Sequence, residues 1–122
     1  MYETLEVLVR AGERRDEVRI VARGELDLAS GDVLRTALDA ALAAGLDDVE
    51  VELSELTFCD STGLCVLLAA QQRLQAAGRA LLLVNPPPAM LRLLDLSATR
   101  DRFTVRAGSS LADGHRRRAA DL

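Results

Sequence analysis

A short polar run, Asp60-Ser61-Thr62-Gly63, holds the residues of this chain that are best suited to chemistry. It stands between a strand-like stretch, residues 49–53, and an apolar, helix-like stretch, residues 64–70. Asp is a favoured N-cap residue, so the run predicts a helix that begins at Ser61. The first turn of a helix has free backbone N–H groups and the positive end of the helix dipole. The pattern therefore predicts an exposed Ser61 hydroxyl that can carry a phosphate, with Thr62 as the fallback acceptor.

Two other interpretations of this run compete with a phosphate acceptor. Serine and aspartate at helix starts usually act only as caps. A catalytic serine needs a general base, and the sequence has one histidine, His115, with no G-x-S-x-G elbow and no Gly-rich phosphate loop. We therefore expect a protein that is not an enzyme and that uses no cofactor and no metal. A hydrolase that uses Ser61 is the least favoured hypothesis.

The composition of the chain argues against two classes of binding partner, nucleic acid and membrane. The net charge of −4 argues against nucleic acid as a binding partner. No apolar run approaches the roughly 20 residues that span a membrane, and the N-terminus does not resemble a signal peptide. We expect a cytoplasmic protein that binds neither DNA nor membrane. Cys59 and Cys65 match no zinc or redox spacing, and both are interpreted as small buried thiols.

The hydrophobic pattern predicts an α/β chain. Two alternating strands with a short polar connection predict an antiparallel hairpin, and the later strand-helix-strand units predict parallel pairing. Gly24 to Asp27 is expected to end the second strand, Gly45 and Gly78 to follow helices, and the prolines after Asn85 to start one. The predicted strands lie near residues 5–10, 18–23, 49–53, 80–84 and 103–105, with helices over 28–44 and 61–77, a third through Leu94, and a weak fourth from Ser110.

Two sequence stretches resemble one family. The run Phe58-Cys59-Asp60-Ser61-Thr62-Gly63-Leu64 and the upstream Gly24-Glu25-Leu26-Asp27 are similar to landmarks of the STAS family, in particular of bacterial anti-sigma factor antagonists. The resemblance covers residues 4–106. It implies a single STAS domain over 1–122, with a small, mixed, mostly parallel sheet of about five strands and four helices mainly on one face. Residues 107–122 would form the weak final helix and an Arg-rich tail.

The resemblance also implies a mechanism. In such antagonists the serine that matches Ser61 is phosphorylated by a serine kinase that is itself the anti-sigma factor, and a phosphatase restores it. The unphosphorylated form binds the kinase and releases the sigma factor, so it regulates transcription indirectly. Asp27 would contact the partner or orient the serine. The implied partner surface consists of Gly24, Glu25, Asp27, Asp60, Ser61, Thr62 and Gly63, on a monomer or weak dimer.

The family includes a second kind of role. A STAS chain can also be a subunit of another assembly, such as a stress-sensing complex or the cytoplasmic accessory of a membrane transporter. The sequence departs from the family pattern after the third helix, where residues 94–99 lack the glycine that is common at that turn.

Overall fold

A single five-stranded sheet, whose strands lie side by side in chain order, carries the helices of the protein. The computed structural model describes residues 5–11, 17–45 and 48–107. Within these residues there are three α-helices and one 3-10 helix, and the predicted fourth helix and Arg-rich tail lie outside them. The elements are β1 (Leu5–Ala11), β2 (Val18–Leu26), α1 (Gly31–Ala43), β3 (Val49–Cys59), α2 (Ser61–Ala76), β4 (Leu81–Val84), α3 (Pro88–Leu96), a 3-10 turn (Arg100–Arg102) and β5 (Thr104–Arg106).

The strand directions confirm the α/β prediction. β1 pairs with β2 antiparallel, with Val9 opposite Ile20, and every later pair is parallel. Each parallel step needs a crossover, which α1, α2 and α3 provide. Because the carboxyl ends of parallel strands lie at one edge of the sheet, the residues that follow β2 and β3 leave the sheet side by side.

One apolar cluster fills the space between the sheet and the helices. Alternate residues of the strands point into it, as the period of two requires. Leu34, Leu38, Leu67 and Leu74 enter from α1 and α2, and each is at most 2% exposed. The cluster gives the start of α2 a rigid support.

The second and third strands run further than the sequence predicts. The sequence predicts that Gly24 ends β2 and that residues 54–60 form a loop, but β2 and β3 stay paired to Leu26 and Cys59. Gly24 has a φ of 102° and lies where the register of the pair shifts. An irregularity of this kind bends a strand without ending it, so the glycine redirects the pair toward α2.

The predicted C-terminal ends of α1 and α2 are confirmed, whereas the predicted start of α1 is wrong. α1 begins at Gly31 and not at residue 28, because residues 28–30 form a turn held by Asp27. Gly45 and Gly78 follow α1 and α2 with φ values of 71° and 73°, as predicted.

The turn after α3 is closed by backbone hydrogen bonds although it lacks the glycine that the family commonly has there. Ala98 adopts a left-handed φ of 58°. Its N–H donates to the Asp95 carbonyl at 3.2 Å, and the Thr99 N–H donates to the Leu94 carbonyl at 2.9 Å. These two bonds are those of a Schellman motif, so hydrogen bonding holds the corner against the small cost of a Cβ at this φ.

A buried carboxylate, that of Glu50, forms ion pairs with residues of two other strands, and Glu50 is 1% exposed. Its carboxylate accepts from Arg19 Nε at 2.9 Å and from Arg106 Nη1 at 3.0 Å. The pairs connect β2, β3 and β5, and they satisfy a charge whose burial would otherwise be costly.

No helix in the described part of the chain is long and apolar enough to cross a membrane.

Candidate functional site

The first turn of α2 has the geometry that the sequence predicts. Asp60 is the N-cap, with an extended ψ of −173°, and its Oδ1 accepts the N–H groups of Thr62 at 2.9 Å and Gly63 at 3.3 Å. Ser61 is the first helical residue and is exposed. Because Asp60 supplies the cap, the Ser61 hydroxyl is not needed to hold the helix and remains accessible.

Gly63 has a packing role that the sequence did not reveal. The residue is buried, and a Cβ placed on it would lie 2.5 Å from Leu26 Cγ and 3.0 Å from Cys59 Sγ. Real Cβ atoms do not approach other atoms so closely, so only glycine lets α2 start against the ends of β2 and β3. Gly63, which the resemblance places in the partner surface, is therefore buried beneath that surface and supports the start of α2.

The turn that follows β2 adjoins the turn that carries Ser61. Leu26 pairs with Cys59, and the Leu26 carbonyl accepts the Asp60 N–H at 3.2 Å. Asp27 and Asp60 thus directly follow two paired residues at the ends of the neighbouring strands β2 and β3. Asp27 Oδ1 accepts the N–H groups of Ala29 and Ser30, each at 3.1 Å, so it organises the entry to α1.

The other predicted residues lie along the extended part of the strands. Gly24 accepts a hydrogen bond from Thr57 Oγ1 at 3.1 Å through its carbonyl. Glu25 is exposed and lies opposite Phe58 in the β2–β3 register. The structure thus brings the upstream run, residues 24–27, together with the run that contains Ser61.

Exposed apolar side chains flank the site. Leu28, next to Asp27, is 80% exposed, and Phe58, three residues before Ser61, is 51% exposed. Large apolar side chains that remain in water beside polar groups are common in protein interfaces. Sequence reasoning missed both residues, because apolar residues next to a strand or helix are usually assigned to the core.

The two cysteines differ, which corrects the prediction that both are buried. Cys65 is exposed on α2, one turn after Ser61, because the face of the helix that carries Ser61 points to solvent. Cys59 is partly buried, and burial together with the neighbouring Asp60 charge raises its pKa from 9.0 to about 11. A thiol with a raised pKa is almost entirely protonated at neutral pH, so Cys59 is unreactive.

We expect iodoacetamide at pH 8 to alkylate Cys65 and to leave Cys59 unmodified in the folded protein. The reason is that thiolate, not thiol, is the nucleophile, and the Cys59 thiolate fraction at this pH is on the order of one in a thousand. Peptide mass spectrometry measures both sites, with a denatured sample as the control in which both react. Equal rates at the two cysteines in the folded protein would contradict this assignment.

The chemistry available at the site is that of a phosphate acceptor. The described residues contain no group of three or more His, Cys, Asp or Glu that could hold a metal ion. Asp60, the nearest carboxylate in sequence, uses its Oδ1 on the backbone of α2. What remains is an exposed hydroxyl at a helix N-terminus, beside carboxylates and exposed apolar side chains.

Comparison with known proteins gives the family. The profile described as "Mlab, STAS domain" matches residues 9–104. The chain is 28% identical over 105 residues to the anti-sigma-B factor antagonist of Bacillus subtilis (strain 168), covering 86% of this chain and 95% of that protein. It is 31% identical over 84 residues to the anti-sigma F factor antagonist of Lysinibacillus sphaericus, covering 68% and 72%. This chain belongs to the STAS domain family.

A solved structure confirms the fold. The Bacillus cell fate determinant SpoIIAA in its phosphorylated form matches with a TM-score of 0.69 and 22% identity, over 92% of this chain and 98% of that one. The predicted STAS architecture, a mixed and mostly parallel sheet with crossover helices, is therefore confirmed.

Proposed function

We propose that this protein is an anti-sigma factor antagonist that is switched by phosphorylation of Ser61. The observation that carries the proposal is the exposed Ser61 hydroxyl on a helix turn whose cap is made by Asp60. Two relatives support it, since the proteins of Bacillus subtilis and Lysinibacillus sphaericus described above are named as antagonists of anti-sigma factors. The unphosphorylated protein binds a serine-kinase anti-sigma factor and releases the sigma factor, and a phosphoserine phosphatase resets it.

The physical basis of the switch is local charge. A phosphoserine carries about −1.5 to −2 charges at neutral pH. At the N-terminus of α2 this charge is favoured by the helix dipole, so the domain stays folded. The phosphorylated form of SpoIIAA, which shares the fold, supports this point.

In an interface the same phosphate is costly. Within the described residues, no Arg side chain lies within ion-pair distance of Glu25, Asp27 or Asp60, whereas Glu55 is paired with Arg23 at 3.0 Å. A phosphate at Ser61 therefore adds charge to a surface whose carboxylates have no cationic side-chain partner among the described residues. Removing that surface from water on binding costs more after phosphorylation, so the phosphate weakens partner binding.

The proposal is tested by incubating the protein with a serine-kinase anti-sigma factor from the same organism and ATP. We expect one phosphate per chain, mapped to Ser61 by mass spectrometry. Ser61→Ala should abolish incorporation, while Thr62→Ala should retain it, since Thr62 is only partly exposed beneath the turn. Phosphate on another residue, or none with an active kinase, would count against the proposal.

A further inference from the structure

Ser30 occupies the N-cap position of α1 but does not cap that helix. A serine in this position normally accepts a hydrogen bond from the second or third helical N–H. Here Ser30 Oγ is directed back toward the end of β2. It accepts the Asp27 N–H at 2.9 Å, and it lies 2.7 Å from the Glu25 carbonyl and 2.9 Å from Asp27 Oδ1. Ser30 is 3% exposed, so a buried hydroxyl is committed to the Asp27 turn.

These contacts occupy one of the two carboxylate oxygens of Asp27. Oδ1 accepts the N–H groups of Ala29 and Ser30, each at 3.1 Å, and lies 2.9 Å from the Ser30 hydroxyl, whose single proton it shares with the Glu25 carbonyl. No residue in the described part of the chain donates to Oδ2. The carboxylate is therefore fixed by its own turn through Oδ1, while Oδ2 remains available to a group outside the turn.

The fixed turn is joined to the turn that carries Ser61. The Leu26 carbonyl accepts the Asp60 N–H at 3.2 Å, immediately before Asp27. Immediately after Ser30, a Cβ on Gly31 would lie 3.6 Å from the Thr62 side chain, which is ordinary van der Waals contact. The Leu26–Asp60 hydrogen bond thus joins the Asp27 turn to the phosphate-acceptor turn, and Gly31 lies close to Thr62 on the other side of it.

We propose that Ser30 is a positioning residue for partner recognition. It holds the Asp27 carboxylate in one orientation beside Ser61, so that Oδ2 accepts a hydrogen bond from the anti-sigma partner. The inference rests on the proposed function. It explains why a serine at an N-cap position has its oxygen directed away from its own helix, and it assigns Ser30 to a surface that its side chain does not touch.

The test is a double-mutant cycle of affinities for the serine-kinase anti-sigma factor, measured by calorimetry on the unphosphorylated protein. Asp27→Asn keeps the Oδ1 acceptor and removes the charge, so the turn persists and binding weakens about tenfold. Ser30→Ala removes the hydroxyl that contacts Oδ1 and accepts the Asp27 N–H, so two backbone N–H groups alone orient the carboxylate, and binding weakens about fivefold. The double variant should bind within about twofold of Asp27→Asn alone, since no charged group is left to position.

Ser97→Ala is the matched control. It also removes a hydroxyl that lies within hydrogen-bond distance of a backbone carbonyl, that of Leu93 at 2.8 Å, but at the C-terminal end of α3. We expect wild-type affinity for this variant. Equal weakening by Ser30→Ala in both backgrounds would mean a purely structural role and would overturn the inference alone. A wild-type protein that does not bind the partner would overturn the proposed function, and the inference with it.

Discussion

Replacing Ser61 by Asp is expected to weaken binding to the serine-kinase anti-sigma factor about thirtyfold and to leave the fold intact. The fold should persist because Asp60, not Ser61, caps α2, and because a carboxylate in the first turn suits the helix dipole. Binding should weaken because the interface must desolvate one more charge beside Asp27 and Asp60. A loss of about 2 kcal/mol is ordinary for an unpaired charge in an interface and equals roughly thirtyfold.

Two variants separate the effect of position from the effect of charge. Ser61→Ala should bind as wild type does and should lose less than about 1 kcal/mol of stability, since no cap is removed. Ser54→Asp adds the same charge to an exposed serine of β3, away from the first turn of α2. It should bind almost normally. If Ser54→Asp and Ser61→Asp weaken binding equally, net charge rather than the site controls the partner.

Replacing Gly63 by Ala is expected to lower the free energy of unfolding by about 2 kcal/mol, because the new methyl group overlaps buried Leu26 and Cys59. Overpacking of a core costs up to about 3 kcal/mol, and the better helix propensity of Ala recovers about 1 kcal/mol of that. The melting temperature should fall by roughly 8 °C in thermal unfolding followed by circular dichroism.

Gly31→Ala is the matched control for this substitution. It places the same methyl group at the start of α1, where the nearest side-chain atoms are 3.6 Å away, so stability should stay the same or rise. Leu26→Ala removes the closest obstacle, so in that background Gly63→Ala should cost much less, with only the 3.0 Å approach to Cys59 Sγ left. If Gly63→Ala has the same melting temperature as the wild-type protein, then α2 can shift away from Leu26 without a loss of stability.

The start of α2 could be predicted from the sequence because its signals are local. Asp60 as the cap, Ser61 on the first turn and Gly78 after the last turn depend on neighbours a few residues away. The parallel sheet could be predicted for a related reason, since strands that alternate with helices permit little else.

What could not be predicted depends on contacts between distant residues. The extension of β3 to Cys59 requires β2 to bend at Gly24 and remain paired, which no local pattern encodes. Glu50 resembles the solvent side of an alternating strand, yet Arg19 and Arg106 bury and neutralise it from 31 and 56 residues away. The roles of Gly63 and Ser30 depend in the same way on atoms of other elements, although the Asp27-x-x-Ser30 spacing was a visible hint.

The central claim is that phosphate on Ser61 controls binding to the anti-sigma partner. The most direct measurement is a calorimetric titration of that partner, in the presence of ADP, with the wild-type protein before and after stoichiometric phosphorylation, with the modified residue identified by mass spectrometry. We expect the phosphate on Ser61 and an affinity at least about thirtyfold lower after phosphorylation. Equal affinities for the two forms, with Ser61 verified as the modified residue, would contradict the claim.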